Sequence, residues 1–520
     1  MMPARTGFTV VTAVWMLITL MRMYFLGIDS NDQCTTAVAL DLEQATVVAE
    51  GRAEHSLIEG LPQGNREQDP AGWISALDEA VQQCLLGLGP ARERVAGLGV
   101  SAQNAGVVAL DAENRILRAA KLAGDTSMFR HCEKLSEIFG GPPGLIELTG
   151  NKLSPQSAAT FLSWLKKHES HHFDNMASAM MPHDFLNYWL TGQKRMEFSG
   201  ASASGFLDVA SRSWATPIIE HVDPRLAEVL PPLSSSQAPQ GFLRGELVSS
   251  WGLPKEVLVS AGGGKMMMDA IGAGNVTAGG VTVRLGREGR VSGVSSKPFV
   301  DPKGEVGCVC DCTDQWMPYV MTPNATDPLE MVSRNFGWSL SELEQAVSAA
   351  RCGAAGVVFL PFEETDNYGD TVRMLHGITR RNYSPVNVAR AAAEGVALDF
   401  GYSLARIGEL GFIPEEIHIS GDWAKSSVWR QLVSNVLGLP VEAVRWGDGA
   451  ALGAALQAAV TFFSENGENL SYQEIAAYAA EPAEGTRCEP NLAHHQRYRE
   501  LLARRQFLSE SLQMLAVGEY

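Results

Sequence analysis

Basic residues are in deficit in this chain. Lys and Arg number 41 against 59 Asp and Glu, for a formal net charge of -18. That balance argues against nucleic acid as a partner and disfavours an anionic membrane surface. It gives no general pull on an anionic nucleotide either. Cysteine is scarce too, with eight residues mostly scattered, which fits a reducing cytoplasm rather than a disulfide scaffold. The N-terminal apolar run, Phe8 to Met21, has 14 residues between Arg5 and Arg22, short of the about 20 a spanning helix needs. It resembles the apolar core of a signal peptide, but no small-residue cleavage site follows and a core strand begins at Tyr24. Residues 1–23 therefore read as an over-extended start, with Met21 or Met23 as the initiator. No low-complexity linker interrupts the rest. An apolar fraction of 45% and a charged fraction of 19% describe a soluble globular protein, and 520 residues exceed one ordinary core.

The stretch most organised for chemistry is Leu258 to Val291, LVSAGGGKMMMDAIGAGNVTAGGVTVRLGREGRV. An apolar strand breaks into three glycines, a helix-like run follows, and a second strand enters the turn Gly286-Arg287-Glu288-Gly289. A glycine turn feeding a helix N-terminus presents backbone N–H groups and the positive end of a helix dipole. It is not a P-loop, because Met266 stands where a Ser or Thr would bind magnesium. Alone, such a stretch reads more readily as a packed turn. Its place in mid-chain, between halves of similar size, is where an interdomain cleft would put it.

Other stretches have local readings of their own. Tyr24 to Ile28 is an apolar strand, Asp29-Ser30-Asn31-Asp32-Gln33 a polar turn, and Thr35 to Leu40 a second strand; an ordinary Asn/Asp hairpin accounts for it. In Glu67-Gln68-Asp69-Pro70-Ala71-Gly72-Trp73, Asp69 is an N-cap and Pro70 the first helical residue. Trp73, Leu77, Val81 and Cys84 then recur on one face, which makes Cys84 a core residue. His168, His171, His172 and Asp174 lack the spacing of a closed zinc site and read as a solvated helix end. Cys308, Cys310 and Cys312 alternate, so a strand would hold them about 6.6 Å apart, too far for one zinc.

Taken together, these motifs resemble the FGGY family of carbohydrate kinases, the xylulose kinases among them, from about Tyr24 to Tyr498. The family pattern GGGDNAA…GAG…LSLGTSG is kept in frame as GGGKMMM…GAG…VRLGREG. Its GIDxGTQSTKA is matched at Asp29, Gln33, Thr35 and Ala37, and its EQDPxxW at Glu67 to Trp73. The patterns MPHDFL, LTG and RAxxEGV recur at Met181, Leu190 and Arg390. The resemblance implies an α/β chain of two actin-like (ribonuclease H-like) domains with an interdomain cleft. Residues 24–275 would form the sugar side and 276–520 the nucleotide side. It implies ATP and Mg2+ as cofactors, a small-molecule sugar or sugar-like ligand, a cytoplasmic setting, and no nucleic-acid or membrane partner; a homodimer is left open.

By the same resemblance Lys265 stands at the family's catalytic aspartate and Asp29 at its metal-associated position. Asn31, Asp32, Gly286, Arg287, Glu288, Gly421, Asp422 and Trp423 fall on nucleotide-binding positions, and Gln103, Asn104 and Ala105 on substrate-binding ones. Lys265 and Arg287 are expected to face one cleft. The ligand chemistry departs from the family at several of these positions. Lys265 replaces a proton acceptor, Asp32 and Glu288 add negative charge where phosphates would lie, and the family's SGGGAKS reads Ser420-Gly421-Asp422-Trp423-Ala424-Lys425-Ser426. Asn104 and Ala105 replace the Met-His of the sugar site, Gly200 replaces an aspartate, and the loop at Pro361 to Thr365 lacks its arginine. An indole at Trp423 is large enough to fill the space of adenine. Three readings follow: a kinase homologue with weak or lost phosphotransfer, a working sugar kinase with unusual contacts, and a non-catalytic interaction protein.

Overall fold

The computed structural model describes residues 22–286, 288–322, 325–360, 374–447 and 449–517. Residues 1–21 of the expected extension, Arg287 and the Pro361 to Thr365 loop lie outside that set. The chain forms two compact units. The first runs to Thr277 and regains Val294–Met317 and Asp448–Glu481; the second takes Ala278–Gly293, Pro318–Gly447 and the chain from Pro482 onward. The chain thus crosses between units repeatedly.

In the first unit the strands Tyr24–Ser30, Cys34–Asp41 and Thr46–Glu54 form an antiparallel meander. On its other side Val95–Ala102 pairs parallel with Tyr24–Ser30, and Leu258–Val259 and Gly263–Gly264 pair parallel with Val95–Ala102. Every residue of the first two strands is buried, because helices pack against them, and such strands read as near-continuous apolar runs. One covering helix is Pro70–Leu88, where Asp69 caps Ala71 N–H at 3.0 Å and Trp73, Leu77, Val81 and Cys84 are buried. Burial pushes the Cys84 thiol up to about 12.

The other is Gly449–Glu465, a run of small residues. It packs in the first unit, against Tyr24–Ser30, Val95–Ala102 and Lys265–Gly272. Two strand glycines permit this close approach. A Cβ at Gly27 would lie 1.8 Å from the Ala451 carbonyl oxygen, and one at Gly99 would lie 2.1 Å from that of Ala454. Gly27→Ala is therefore expected to cost about 1–3 kcal/mol by overpacking, read as a lower urea midpoint with an unchanged slope.

The second unit repeats the pattern. Trp316–Thr322, Gly289–Gly293 and Gly280–Arg284 are antiparallel neighbours, and Glu416–Ser420 and Val441–Ala443 extend the sheet in parallel. The 25-residue helix Pro385–Glu409 is capped by Ser384 on Asn387 N–H at 3.2 Å. It is buried along most of its length, and its Arg390 pairs with Glu394 at 2.7 Å and donates to Tyr498 Oη at 2.6 Å. Among the described residues no helix is long and apolar enough to cross a membrane.

Candidate active site

Asp29 is the penultimate residue of the first strand, in register with Ser101 on the parallel neighbour. Gly263 is in register with the same Ser101 from the far side, and Lys265, two residues on, opens the helix Lys265–Gly272. This alignment brings together two side chains 236 positions apart in sequence. Lys265 Nζ donates to Asp29 Oδ2 at 2.6 Å, and Ser101 Oγ donates to Oδ1 at 2.7 Å. Asp29 is fully buried, while the Lys265 side chain is 23% exposed. Asn31 Nδ2 adds a longer contact to Oδ2 at 3.4 Å.

The turn after Asp29 is the Asn/Asp hairpin its residues suggest. Asn31 Oδ1 accepts from the N–H groups of Gln33 and Cys34 at 2.9 and 3.1 Å, and Asn31 N–H bonds the Cys34 carbonyl. Asp32 does not present a bare charge, because Arg66 forms an ion pair with its carboxylate. Both groups are partly exposed, so the pair contributes little stability, but it removes most of the local negative charge. Gln68 ties the turn down by donating to the Asp32 carbonyl at 2.9 Å, and it accepts from Trp73 Nε1 at 2.9 Å. Gln103 N–H donates to the Ser30 carbonyl at 3.0 Å. Asn104 Oδ1 leans over Gly264, where a Cβ would come within 2.2 Å of it, and Ala105 is buried.

Beneath Gly264 lies a buried polar cluster. Gly264 N–H donates to Ser199 Oγ at 3.3 Å, and that hydroxyl donates to Glu197. Glu197 also accepts from Gly200 N–H and Ser236 Oγ, both at 2.6 Å. His183 Nε2 stands 3.1 Å from Glu197 Oε1 and 3.2 Å from Asp184 Oδ1. Gly200 fits tightly here, since a Cβ would lie 2.6 Å from His183 Cε1. Sequence reasoning missed this cluster, as it missed Ser101 and Arg66. Arg66 borders the EQDP motif, and only that adjacency marked it.

The remaining positions belong to the second unit. Gly421 has a positive φ of 97°, and a Cβ there would meet the Leu285 carbonyl at 2.3 Å. Leu285 N–H bonds the Ser420 carbonyl at 2.9 Å, so the turns at Gly286 and Gly421 adjoin. Glu288 and Asp422 are exposed. Trp423 lies in the short helical turn Asp422–Lys425 and packs edge-on against Trp429, with ring centroids 5.2 Å apart. With Glu330, Ser333, Arg334, Trp338 and Leu340 it lines a cavity of about 340 Å³.

Two other clusters were considered from sequence. Cys308, Cys310 and Cys312 are buried, and burial pushes the first two thiols up to about 12. His168 Nε2 contacts His131 Nε2 at 2.8 Å, and His172 pairs with Glu169. Among the described residues no group of three or more His, Cys, Asp or Glu could hold a metal ion.

The comparisons with known proteins agree with this layout. Residues 24–272 match the N-terminal domain of the FGGY family of carbohydrate kinases, and 332–462 match its C-terminal domain. The chain is 34% identical over 446 residues to the xylulose kinase of Haemophilus influenzae, covering 84% of this chain and 90% of that one. It is 30% identical over 438 residues to the xylulose kinase of Escherichia coli K12, covering 83% and 88%. A crystal structure of a "xyloylose kinase" from Brucella ovis superposes with a TM-score of 0.86 at 26% identity, covering 95% of this chain and 100% of that one. The fold is thus two actin-like (ribonuclease H-like) α/β domains. With both family domains matched in order and sequence shared along most of its length, the chain belongs to the FGGY family of carbohydrate kinases.

Proposed function

We propose that the chain is a xylulose kinase-like protein that binds a ketopentose or related sugar together with ATP, and whose phosphoryl transfer is weak or lost. The observation that carries this reading is Lys265 Nζ at 2.6 Å from Asp29 Oδ2. In phosphoryl transfer to an alcohol, a group beside the attacking hydroxyl accepts its proton. A lysine at neutral pH carries its full set of protons, and one held against a carboxylate has no lone pair to offer. Loss of a general base typically costs 10²- to 10⁴-fold in rate.

The expected result in a coupled ADP-release assay with D-xylulose and a pentose and pentitol panel is turnover at least about 100-fold below the typical 10 per second. Lys265→Ala should leave that low rate unchanged. Robust sugar-dependent turnover that vanishes in Lys265→Ala overturns the reading and makes Lys265 catalytic. The second reading, an active sugar kinase with unusual contacts, gains support from Arg66. That guanidinium offsets Asp32, and so removes one objection to a phosphate near the hairpin.

A further inference from the structure

The family's chemistry implies a divalent cation at Asp29, and the residues present do not fit one. Magnesium takes oxygen ligands in near-octahedral geometry and is usually held by one or two carboxylates with substrate phosphates and water. Here Asp29 is fully buried, one carboxylate oxygen accepts from Ser101 Oγ at 2.7 Å, and the other accepts from Lys265 Nζ at 2.6 Å. The nearby side chains of Ser101, Asn31 and Asn104 are neutral. We propose that the Lys265 ammonium takes the place of the divalent cation on Asp29, so that this site is metal-independent.

Charge balance supports the exchange. At a magnesium site the dication offsets the charge of the carboxylate that holds it. With lysine at 265, an ammonium already sits on the Asp29 carboxylate. A dication added to that pair would meet an ammonium within a few ångströms in a partly dry site, where like charges repel strongly. The backbone delivers the amine to this place. Gly263 and Gly264 pair in register with Ser101 and Ala102, and the helix begins at Lys265, so the side chain starts beside the strand that carries Asp29. One substitution therefore removes the proton acceptor and the need for metal together. The proposal rests on the reading above only in taking Asp29 as the metal-associated position, and it is scored by metal binding instead of turnover, so the two fail separately.

The test is a Mn2+ titration of the full chain, alone and with ADP, following free Mn2+ by electron paramagnetic resonance. Wild type is expected to show no Mn2+ binding that depends on Asp29. Lys265→Asp should gain one Mn2+ site, and adding Asp29→Asn should weaken that site at least tenfold. Lys265→Gln, which removes the ammonium and keeps the side-chain length, is scored the same way if Lys265→Asp does not fold. A wild-type Mn2+ site abolished by Asp29→Asn overturns the proposal. So does the failure of folded Lys265 variants to gain a site, since the ammonium would then not be what keeps metal out.

Discussion

Lys265→Ala is expected to destabilise the protein by about 3 kcal/mol at pH 7, and Lys265→Ala combined with Asp29→Asn by much less. Removing one partner of a buried pair leaves an uncompensated charge, at a cost of about 3–5 kcal/mol. Asp29 is fully buried, whereas the Lys265 side chain is 23% exposed, so its head group is partly hydrated and the lower end of that range applies. Ser101 and Asn31 remain as donors to the carboxylate, but neither carries charge. Replacing Asp29 by asparagine removes the orphaned charge, so the double variant should regain most of the loss. Urea midpoints for the four corners of this cycle give the coupling directly. A single variant within about 0.5 kcal/mol of wild type, the scale of an ordinary surface change, would mean the ammonium is not seated on Asp29. A 3 kcal/mol loss still lies below the about 5–15 kcal/mol of a typical domain, so the variant should remain folded for the turnover assay.

How far the sequence carried the reading depends on the range of the interaction that decides each feature. The strands at Tyr24 and Thr35 and the helix start at Asp69-Pro70 are written in neighbouring residues, and each forms where its local pattern puts it. The return of Gly449–Glu465 to the first unit is not local. It depends on Gly27 and Gly99 lying opposite Ala451 and Ala454, more than 350 positions away. The signal existed, as glycines inside strands and a run of small residues, but nothing in the order of the chain pairs them. Asp32 shows the same limit for charge. Its carboxylate reads as repulsive toward phosphate until Arg66, 34 positions on, is seen to pair with it. Trp423 reads as a filled base site because an indole is bulky. Its edge-on packing against Trp429 and its place in a cavity lining are tertiary features that the motif does not carry. At Lys265 the motif frame gave the position, and strand register gave the partner.

The cluster beneath Gly264 leads to the other large effect, a loss of stability on the alkaline side. Burial alone would push the His183 imidazole down, but the carboxylates of Asp184 and Glu197 outweigh it and hold it up at about 10. Burial pushes Asp184 up despite its contact with His183. Glu197 works the other way: burial opposes its charge, but His183, Ser199 and Ser236 overcome that and hold it below the usual range. The cluster is thus a charged imidazole against an ionised Glu197. A histidine whose folded value is raised contributes stability that is complete below its unfolded value of 6.5 and is lost as pH rises through about 10. Each pH unit in that window is worth about 1.4 kcal/mol, so wild type should lose roughly 4 kcal/mol between pH 6.5 and 9.5 from this group. Other groups titrate near the upper end, so the contrast with His183→Asn isolates the imidazole. That variant should be several kcal/mol less stable than wild type at pH 6.5, and the gap should close steadily toward pH 9.5. Urea unfolding at pH 6.5, 8 and 9.5 measures it. A gap that stays constant across the window would show that His183 is neutral in the folded protein.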